Sequence, residues 1–308
     1  MSQKYERFHG TFAIILASLL WGTTGTAASL SPDISPLAIG AFSMGSAGVL
    51  LMFTARKTLS VDYKLLLAQP KILFLGALSI AIYPLAFYSS MRFAGVAIGT
   101  VVSIATAPFF AAILERLISK KRISFQWLIS FIIGVIGIAL LTLGKEQASH
   151  TTQNILLQHI GIVLGFIAGL TYASYSWAAR HLIESGVHSQ SSMSSMFGCA
   201  ALLLLPSLWF TGENLFSSPT NTLVSLYMAI IPMYLGYLFF AFGLKRIDAS
   251  KATLITLIEP LVATLLAVSI IGESFKMMGW FGMLLISLCL LLQTSNFQRQ
   301  PKSMPQSF

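Results

Sequence analysis

The sequence predicts an all-α integral membrane protein with ten transmembrane helices arranged as two inverted five-helix repeats. Three observations predict it. Only 9% of the 308 residues are charged while 56% are hydrophobic, and the mean hydropathy is +0.79. The charges fall between apolar runs long enough to cross a bilayer, and two segments of the second half resemble two of the first at nearly one offset. A soluble domain carries about 25% charged residues, so this chain cannot hydrate its own surface. That excludes a water-soluble enzyme, a disordered tail and a secreted disulfide scaffold.

Uncharged stretches run over 8–32, 34–55, 72–91, 93–114, 123–144, 147–179, 185–212, 214–244 and 277–298, and a tenth, 252–272, is interrupted only by Glu259. Each can hold the roughly 20 residues that cross about 30 Å of hydrocarbon at about 1.5 Å per residue. Lipid offers no backbone partners, so each must be a helix or part of a closed barrel. The runs do not alternate, which excludes the barrel. Helices are therefore expected at 11–30, 35–55, 72–91, 96–118, 124–143, 158–181, 189–211, 220–244, 249–271 and 277–296. The loops are short. The two five-helix units occupy 1–150 and 151–308 of one membrane domain.

The elements have individual justifications. Lys4 and Arg7, followed by an apolar run and Thr26-Ala27-Ala28, also match a cleaved leader; resemblance of this segment to the sixth argues for a retained first helix. The third, fourth, eighth and ninth helices contain Pro84, Pro108, Pro232 and Pro260. Each proline removes a backbone hydrogen bond and can kink its helix, so these four are the expected hinges. With helices 1 and 6 beside them, they are the expected cavity-lining set. Gly134 and Gly137 of the fifth helix, and Gly161-x-x-x-Gly165-x-x-x-Gly169 of the sixth, are close-packing surfaces. Cys199 and Cys289 lie in apolar runs with no framework spacing and read as small packing residues.

Orientation follows from Lys and Arg. The termini and the loops after helices 2, 4, 6 and 8 carry Lys4, Arg7, Arg56, Lys57, Lys64, Lys71, Arg116, Lys120, Lys121, Arg122, Arg180, Lys245, Arg246, Lys251, Arg299 and Lys302. The other side carries Arg92, Lys145 and Lys276, so the 19 basic residues divide 16 to 3. Both termini are thus expected in the cytoplasm. The net charge of +9 is topological rather than a nucleic-acid patch.

The repeat pairs Gly10–Leu30 with Gly161–His181 at an offset of 151, placing Trp21 over Tyr172; it pairs helix 4 with helix 9 at 152, placing Pro108 over Pro260. Five helices per unit is odd, so the second copy enters the membrane upside down. Inverted repeats of this kind mark secondary transporters with a site near the midplane.

Trp21-Gly22 ending an apolar first helix, the Pro-centred fourth helix, Ile258-Glu259-Pro260-Leu261-Val262-Ala263, and Gly272-Glu273-Ser274 before a glycine-containing last helix together resemble the drug/metabolite transporter superfamily, in particular its ten-helix EamA-type branch. The first half departs from that pattern. Ser119-Lys120-Lys121 replaces a Gly-Glu-Arg-like turn, and Ala107 rather than Glu precedes Pro108. The resemblance implies export of small metabolites, notably amino acids, or of amphiphilic drugs.

Glu259 is the costly residue, since an ionised carboxylate at mid-membrane costs about 2.5–3.5 kcal/mol or more on insertion scales. One reading makes it a proton site or the counter-charge for a substrate ammonium. The other makes it a neutral or hydrogen-bonded group capping backbone freed by Pro260. Glu115, beside Arg116, is expected at the cytoplasmic interface. Trp21, Tyr83, Phe87, Tyr172, Tyr175 and Tyr237, with Thr24, Thr100, Ser103, Thr253 and Thr256, supply the aromatic and hydroxyl walls of a cavity for a small amphipathic solute. Trp177 and Trp209 read instead as interfacial belt residues.

The absences narrow the classes further. No Lys or Arg lies at mid-membrane to match a phosphate or to carry retinal, the five histidines are scattered, and no Walker-type loop is present. No nucleophile, base and metal set suggests an enzyme, and no cofactor is expected. The expected function is an inner-membrane exporter of small amphipathic metabolites such as amino acids, working by alternating access as a monomer or homodimer, with coupling through Glu259 or uncoupled facilitation. A drug exporter, a metabolite importer and a non-transporting sensor or assembly protein remain the alternatives.

Overall fold

In the computed structural model, residues 3–144, 155–272 and 276–295 are described. Lys145, Glu273, Ser274, Arg299 and Lys302, which entered the charge count or the motif, lie outside them. Among the described residues the chain is all helix and turn. Span 1 is Tyr5–Ser29, span 2 Pro36–Thr54, span 3 Pro70–Ala94, span 4 Ile98–Leu117 and span 5 Phe125–Leu143. Span 6 is Ile155–Glu184, span 7 Ser189–Thr211, span 8 Pro219–Leu244 and span 9 Ala249–Ile270, and a shorter apolar helix, Met277–Ser295, is span 10.

Local chemistry sets the boundaries. Pro36, Pro70 and Pro219 open their helices, where a missing N–H costs nothing. Ser124 and Ser218 cap spans 5 and 8 by accepting the N–H of Trp127 and Asn221, each at 3.1 Å. Spans 3 and 4 are joined at Gly95, whose φ of +88° favours glycine. One element was not expected. The loop after span 2 contains a 12-residue helix, Arg56–Leu67, seated on its Asp62 and Leu66 side. His188, at the start of span 7, bonds Asp62 with its backbone N–H and its ring Nδ1, each at 2.9 Å.

The packing pattern repeats when each span is exchanged for its counterpart five places on. Span 1 packs on spans 8 and 9 as span 6 packs on spans 3 and 4, while 2 meets 7, 4 meets 9 and 5 meets 10. Small residues permit these approaches. A Cβ on Gly161 would lie 2.3 Å from the Ala94 nitrogen, and one on Gly169 2.0 Å from Thr106 Oγ1. The glycine stripe of span 6 thus seats spans 3 and 4. Its counterpart Gly10 meets Arg246 and Gly243 of span 8. Gly137 lies against Gly282 and Ile286, so the span 5 glycines serve packing on span 10.

The main core joins spans 1, 2, 3, 4, 6, 7, 8 and 9 around Ile14, Leu51, Ile80, Tyr175, Phe197 and Phe240. A second cluster joins spans 4, 5, 9 and 10 around Ile104, Trp127, Ile138, Leu257, Ile286 and Cys289. Outward faces are apolar as well: Leu202, Trp209 and Phe210 are 75–91% exposed, as lipid contact requires.

Candidate functional site

The proline spans differ between the halves. Pro84 and Pro108 lie inside helices that run through unbroken, Pro70–Ala94 and Val96–Leu117. Span 8, by contrast, passes through a π-helical segment, Ala229–Leu235, around Pro232. Span 9 breaks between Ala249–Ile255 and Ile258–Leu266. The cause is local. Pro260 has no N–H for the Thr256 carbonyl four residues back, and the Glu259 N–H takes that carbonyl instead, at 2.9 Å, in a tighter turn. The break sets Glu259 in the first turn of the following helix, about midway along the span.

A small cavity of about 50 Å³, partly open to the outside, lies at this depth. Span 1 lines it with Trp21 and Thr24, span 2 with Gly40, Ser43 and Met44, and span 3 with Tyr83, Pro84, Phe87 and Tyr88. Spans 6, 8 and 9 add Tyr172, Tyr175, Met233, Tyr237 and Glu259. Among the described residues Glu259 is the only ionisable carboxylate or base in this lining. Its half-buried carboxylate has no hydrogen-bond or ion-pair partner among them. The capping reading of Glu259 therefore lacks its bond, because the backbone N–H and not the carboxylate satisfies Thr256. Tyr83, Tyr88, Tyr172 and Tyr237 line the same cavity as Glu259.

The walls are cross-linked by polar bonds. Trp21 Nε1–H donates to the Pro232 carbonyl at 2.9 Å, tying span 1 to the irregular part of span 8. The Tyr172 hydroxyl donates to Thr256 Oγ1 at 2.9 Å, and Thr256 donates to the Thr253 carbonyl at 2.8 Å. Tyr175 and Tyr237 share a hydroxyl–hydroxyl bond of 3.0 Å. Tyr83 stacks with Phe87 at 5.7 Å and tilts against Tyr172 at 5.6 Å.

The structure thus brings together Glu259, Trp21, Thr24, Tyr83, Phe87, Tyr172, Tyr175 and Tyr237. Thr253 and Thr256 stand behind the wall as a hydrogen-bonded support. Thr100 and Ser103 point elsewhere: Thr100 bonds the Met91 sulfur at 3.5 Å, and Ser103 packs near Gly169. Span 4 contributes no lining residue among those described, unlike the expectation from its proline, because its small side is used up against the span 6 glycines. Span 2 lines the cavity unexpectedly. Tyr88, one of the aromatic residues gathered on these helices, joins the lining, and Met233 could have been found by stepping one helical turn from Tyr237.

Glu115, near the basic-face end of span 4 as expected from the sequence, is enclosed by protein there: it is 4% exposed and accepts the Ser250 hydroxyl, and the Ser250 N–H at 3.3 Å. One further expectation is corrected. Trp177 is not a belt residue. It is 2% exposed, donates to Ser119 Oγ at 3.0 Å and stacks on His181, because neighbouring spans enclose span 6 on several sides. Trp209, 91% exposed, does face outward.

Toward the face that carries the start of span 1, the helices are closed by charge. Lys121 bridges Glu184 at 2.7 Å and Asp248 at 2.6 Å, while Arg180 holds Glu184 at 2.8 Å and the Leu244 carbonyl at 2.6 Å. Partial burial pulls the Lys121 ammonium down, but hydrogen bonds to Asp248 and Glu184 outweigh it and hold it above the usual lysine range.

Known proteins carry the same pattern. A chain named as the uncharacterized transporter YwfM of Bacillus subtilis is 32% identical over 291 residues, 93% of this chain and 94% of that one. The uncharacterized inner membrane transporter YicL of Salmonella typhimurium is 24% identical over 303 residues, covering 96% of this chain and 98% of that one. One solved crystal structure superimposes with a TM-score of 0.77 at 17% identity over 93% of this chain and 96% of that chain, a likeness of fold. The EamA-like transporter family model matches twice, at residues 8–143 and 159–294, once in each five-helix half. With its paired halves, its broken ninth span and its midplane cavity, this chain belongs to the EamA-like transporter family.

Proposed function

We propose that the protein is an inner-membrane exporter of small amphipathic solutes bearing an amino group, with free amino acids and amphiphilic amines as the two substrate classes. One observation carries this reading: a carboxylate without a partner among the described residues, held by a helix break in a cavity walled with aromatic rings. A solute would lay its apolar body on the rings and its ammonium on Glu259. Exchange of a proton for the solute at Glu259 supplies coupling.

Alternating access is supported by the asymmetry along the membrane normal. The Lys121–Arg180–Glu184–Asp248 cluster closes the basic face, taken as cytoplasmic, and the cavity lies beyond it. Opening that face requires these pairs to part while spans 8 and 9 flex at Pro232 and Pro260.

Proteoliposome counterflow with labelled amino acids and amines, with and without a pH gradient, tests the reading. The parent is expected to exchange at least one member of the panel, and Glu259→Gln to lose response to the gradient. If the parent moves none of them, transport of this solute class is wrong. If the variant equals the parent at every pH, coupling through Glu259 is wrong.

A further inference from the structure

The loop helix Arg56–Leu67 takes no part in the cavity, and its connections fix where it lies. One residue, Ala55, separates it from the end of span 2, and two, Ala68 and Gln69, separate it from the start of span 3. Both ends are held where spans leave the hydrocarbon, so the helix, about 18 Å long at about 1.5 Å per residue, runs along the membrane surface rather than projecting from it. Its Asp62 and Leu66 side rests on the protein at the start of span 7. We infer that this helix is an anionic-lipid site, holding the phosphate headgroups of the surrounding leaflet on Arg56, Lys57, Lys64 and Lys71.

The side chains divide as such a site requires. Asp62, the only acid between spans 2 and 3, is turned inward and bonded to His188, so the outward side is purely basic. At about 100° per residue, Lys57 and Lys64 share a face, flanked by Val61 and Leu65 on one side and by Tyr63 and Leu67 on the other. Those four flanking residues are 42–69% exposed. A helix of this pattern sinks apolar flanks among acyl chains and holds its cations at headgroup depth. Rings below the cations mark the same boundary: Arg56 lies 5.1 Å over Phe53, and Lys64 5.9 Å over Tyr63. Phe53 and Phe74, at the ends of spans 2 and 3, face outward.

Charge balance supplies the occupant. Lys121, Arg180 and Arg246, on the same face, are matched by Glu184, Asp248 and Glu6. Arg56, Lys57, Lys64 and Lys71 have no acidic partner among the described residues. Four basic residues at a span boundary, without counter-ions from the protein, complement an anionic leaflet. A free phosphate would meet the same cations but would gain nothing from the apolar flanks, so the surface suits a lipid. Because Asp62 and His188 fasten the helix to span 7, lipid bound there braces spans 2, 3 and 7 together.

The test is photocrosslinking and melting of the full chain in lipid nanodiscs. A phosphatidylglycerol with a photoreactive group near its headgroup is expected to label residues 53–74 about fivefold or more above a matching phosphatidylcholine probe. The melting temperature should be several degrees higher with about 30% phosphatidylglycerol than with phosphatidylcholine alone. Glycerol phosphate in solution should not reproduce that rise. Lys57→Gln with Lys64→Gln should remove most of both effects. Arg116→Gln with Arg122→Gln, which takes two exposed charges from another loop of the same face, should leave them in place. Equal labelling by the two probes overturns the inference. An equal loss in the two double variants also overturns it, by assigning the effect to diffuse surface charge. So does a rise reproduced by glycerol phosphate, which would mean an anion site rather than a lipid surface. Labelling of the parent decides even where a variant fails to fold. The readouts need no solute, so the inference stands or falls apart from the transport reading.

Discussion

The two halves of the molecule make the same contacts with different backbones. Spans 1, 3 and 4 find their neighbours as spans 6, 8 and 9 do, and each half has prolines in its third and fourth helices. Only in the second half do those helices break. The residue that Glu259 replaces is instructive: at an offset of 152 its first-half counterpart is Ala107, fully buried between helices. Duplicated packing needs small residues at close approaches, and both halves keep them. A binding group needs an opening in the backbone, and the second half supplies it. Symmetry serves the scaffold, and the departure from it makes the candidate site.

The largest expected effect comes from exchanging that difference. Glu259→Gln should reduce solute counterflow roughly tenfold or more, because it removes the one carboxylate among the described residues of the cavity lining. Adding Ala107→Glu should not restore it, since that position is sealed from the cavity; rescue would show the halves to be interchangeable. A second comparison concerns the glycines. Gly161→Leu meets the Ala94 backbone, which cannot yield, and should destabilise by more than the ~1–3 kcal/mol typical of overpacking. Gly10→Leu meets the Arg246 side chain and the Gly243 carbonyl and should cost less. Melting temperatures in detergent order the two, and equal losses would argue that both walls are equally rigid.

The prolines sharpen the contrast further. Pro232→Ala restores an N–H inside the π-helical segment and should let it wind regularly, pulling the Pro232 carbonyl from Trp21 and slowing exchange about threefold. Pro84→Ala lies in an unbroken helix and should change the rate by less than about twofold. Matching effects would assign the hinge to both halves.

The smallest effect concerns Asp62, on a loop helix that follows span 2 but has no equivalent in the short connection after span 7. Burial pushes the Asp62 carboxyl up, but the nearby Ser191 hydroxyl and the hydrogen bonds from His188 outweigh it and hold it below the usual carboxylate range. A group whose folded pKa lies below its unfolded one, here about 4, contributes stability above that value and loses it as pH falls through the lower folded one. Asp62→Asn should therefore lower the melting temperature by a few degrees at pH 7, with the difference from the parent shrinking below about pH 4. A difference independent of pH would mean that shape rather than charge holds the helix.

Much of the site was legible in the sequence, for reasons that particular residues show. Glu259 announces itself by its cost in an apolar run. Trp21 and Tyr172 are joined by the repeat, and both reach the cavity. Thr100 and Ser103 looked equivalent to Thr24 by composition, yet they face the span 3 and span 6 surfaces, because helical periodicity gives a face without saying what it meets. Gly40, Ser43 and Met44 were invisible, since a small-residue stripe that lines a cavity reads like one that packs. Trp177 was misplaced for the same reason. Nearness to a span end suggests an interface, but neighbouring helices can enclose that end.

The sequence by itself determined the number of spans, the duplicated halves and the isolation of one carboxylate, because lipid imposes length, apolarity and backbone satisfaction on each span separately. Only the tertiary structure decided which faces meet. It put span 2 rather than span 4 against the cavity, left the Pro84 and Pro108 helices whole while spans 8 and 9 broke, and left Glu259 without a partner among the described residues. Those outcomes depend on side chains brought together from segments as much as 238 residues apart, such as Trp21 and Glu259, and no local rule contains them.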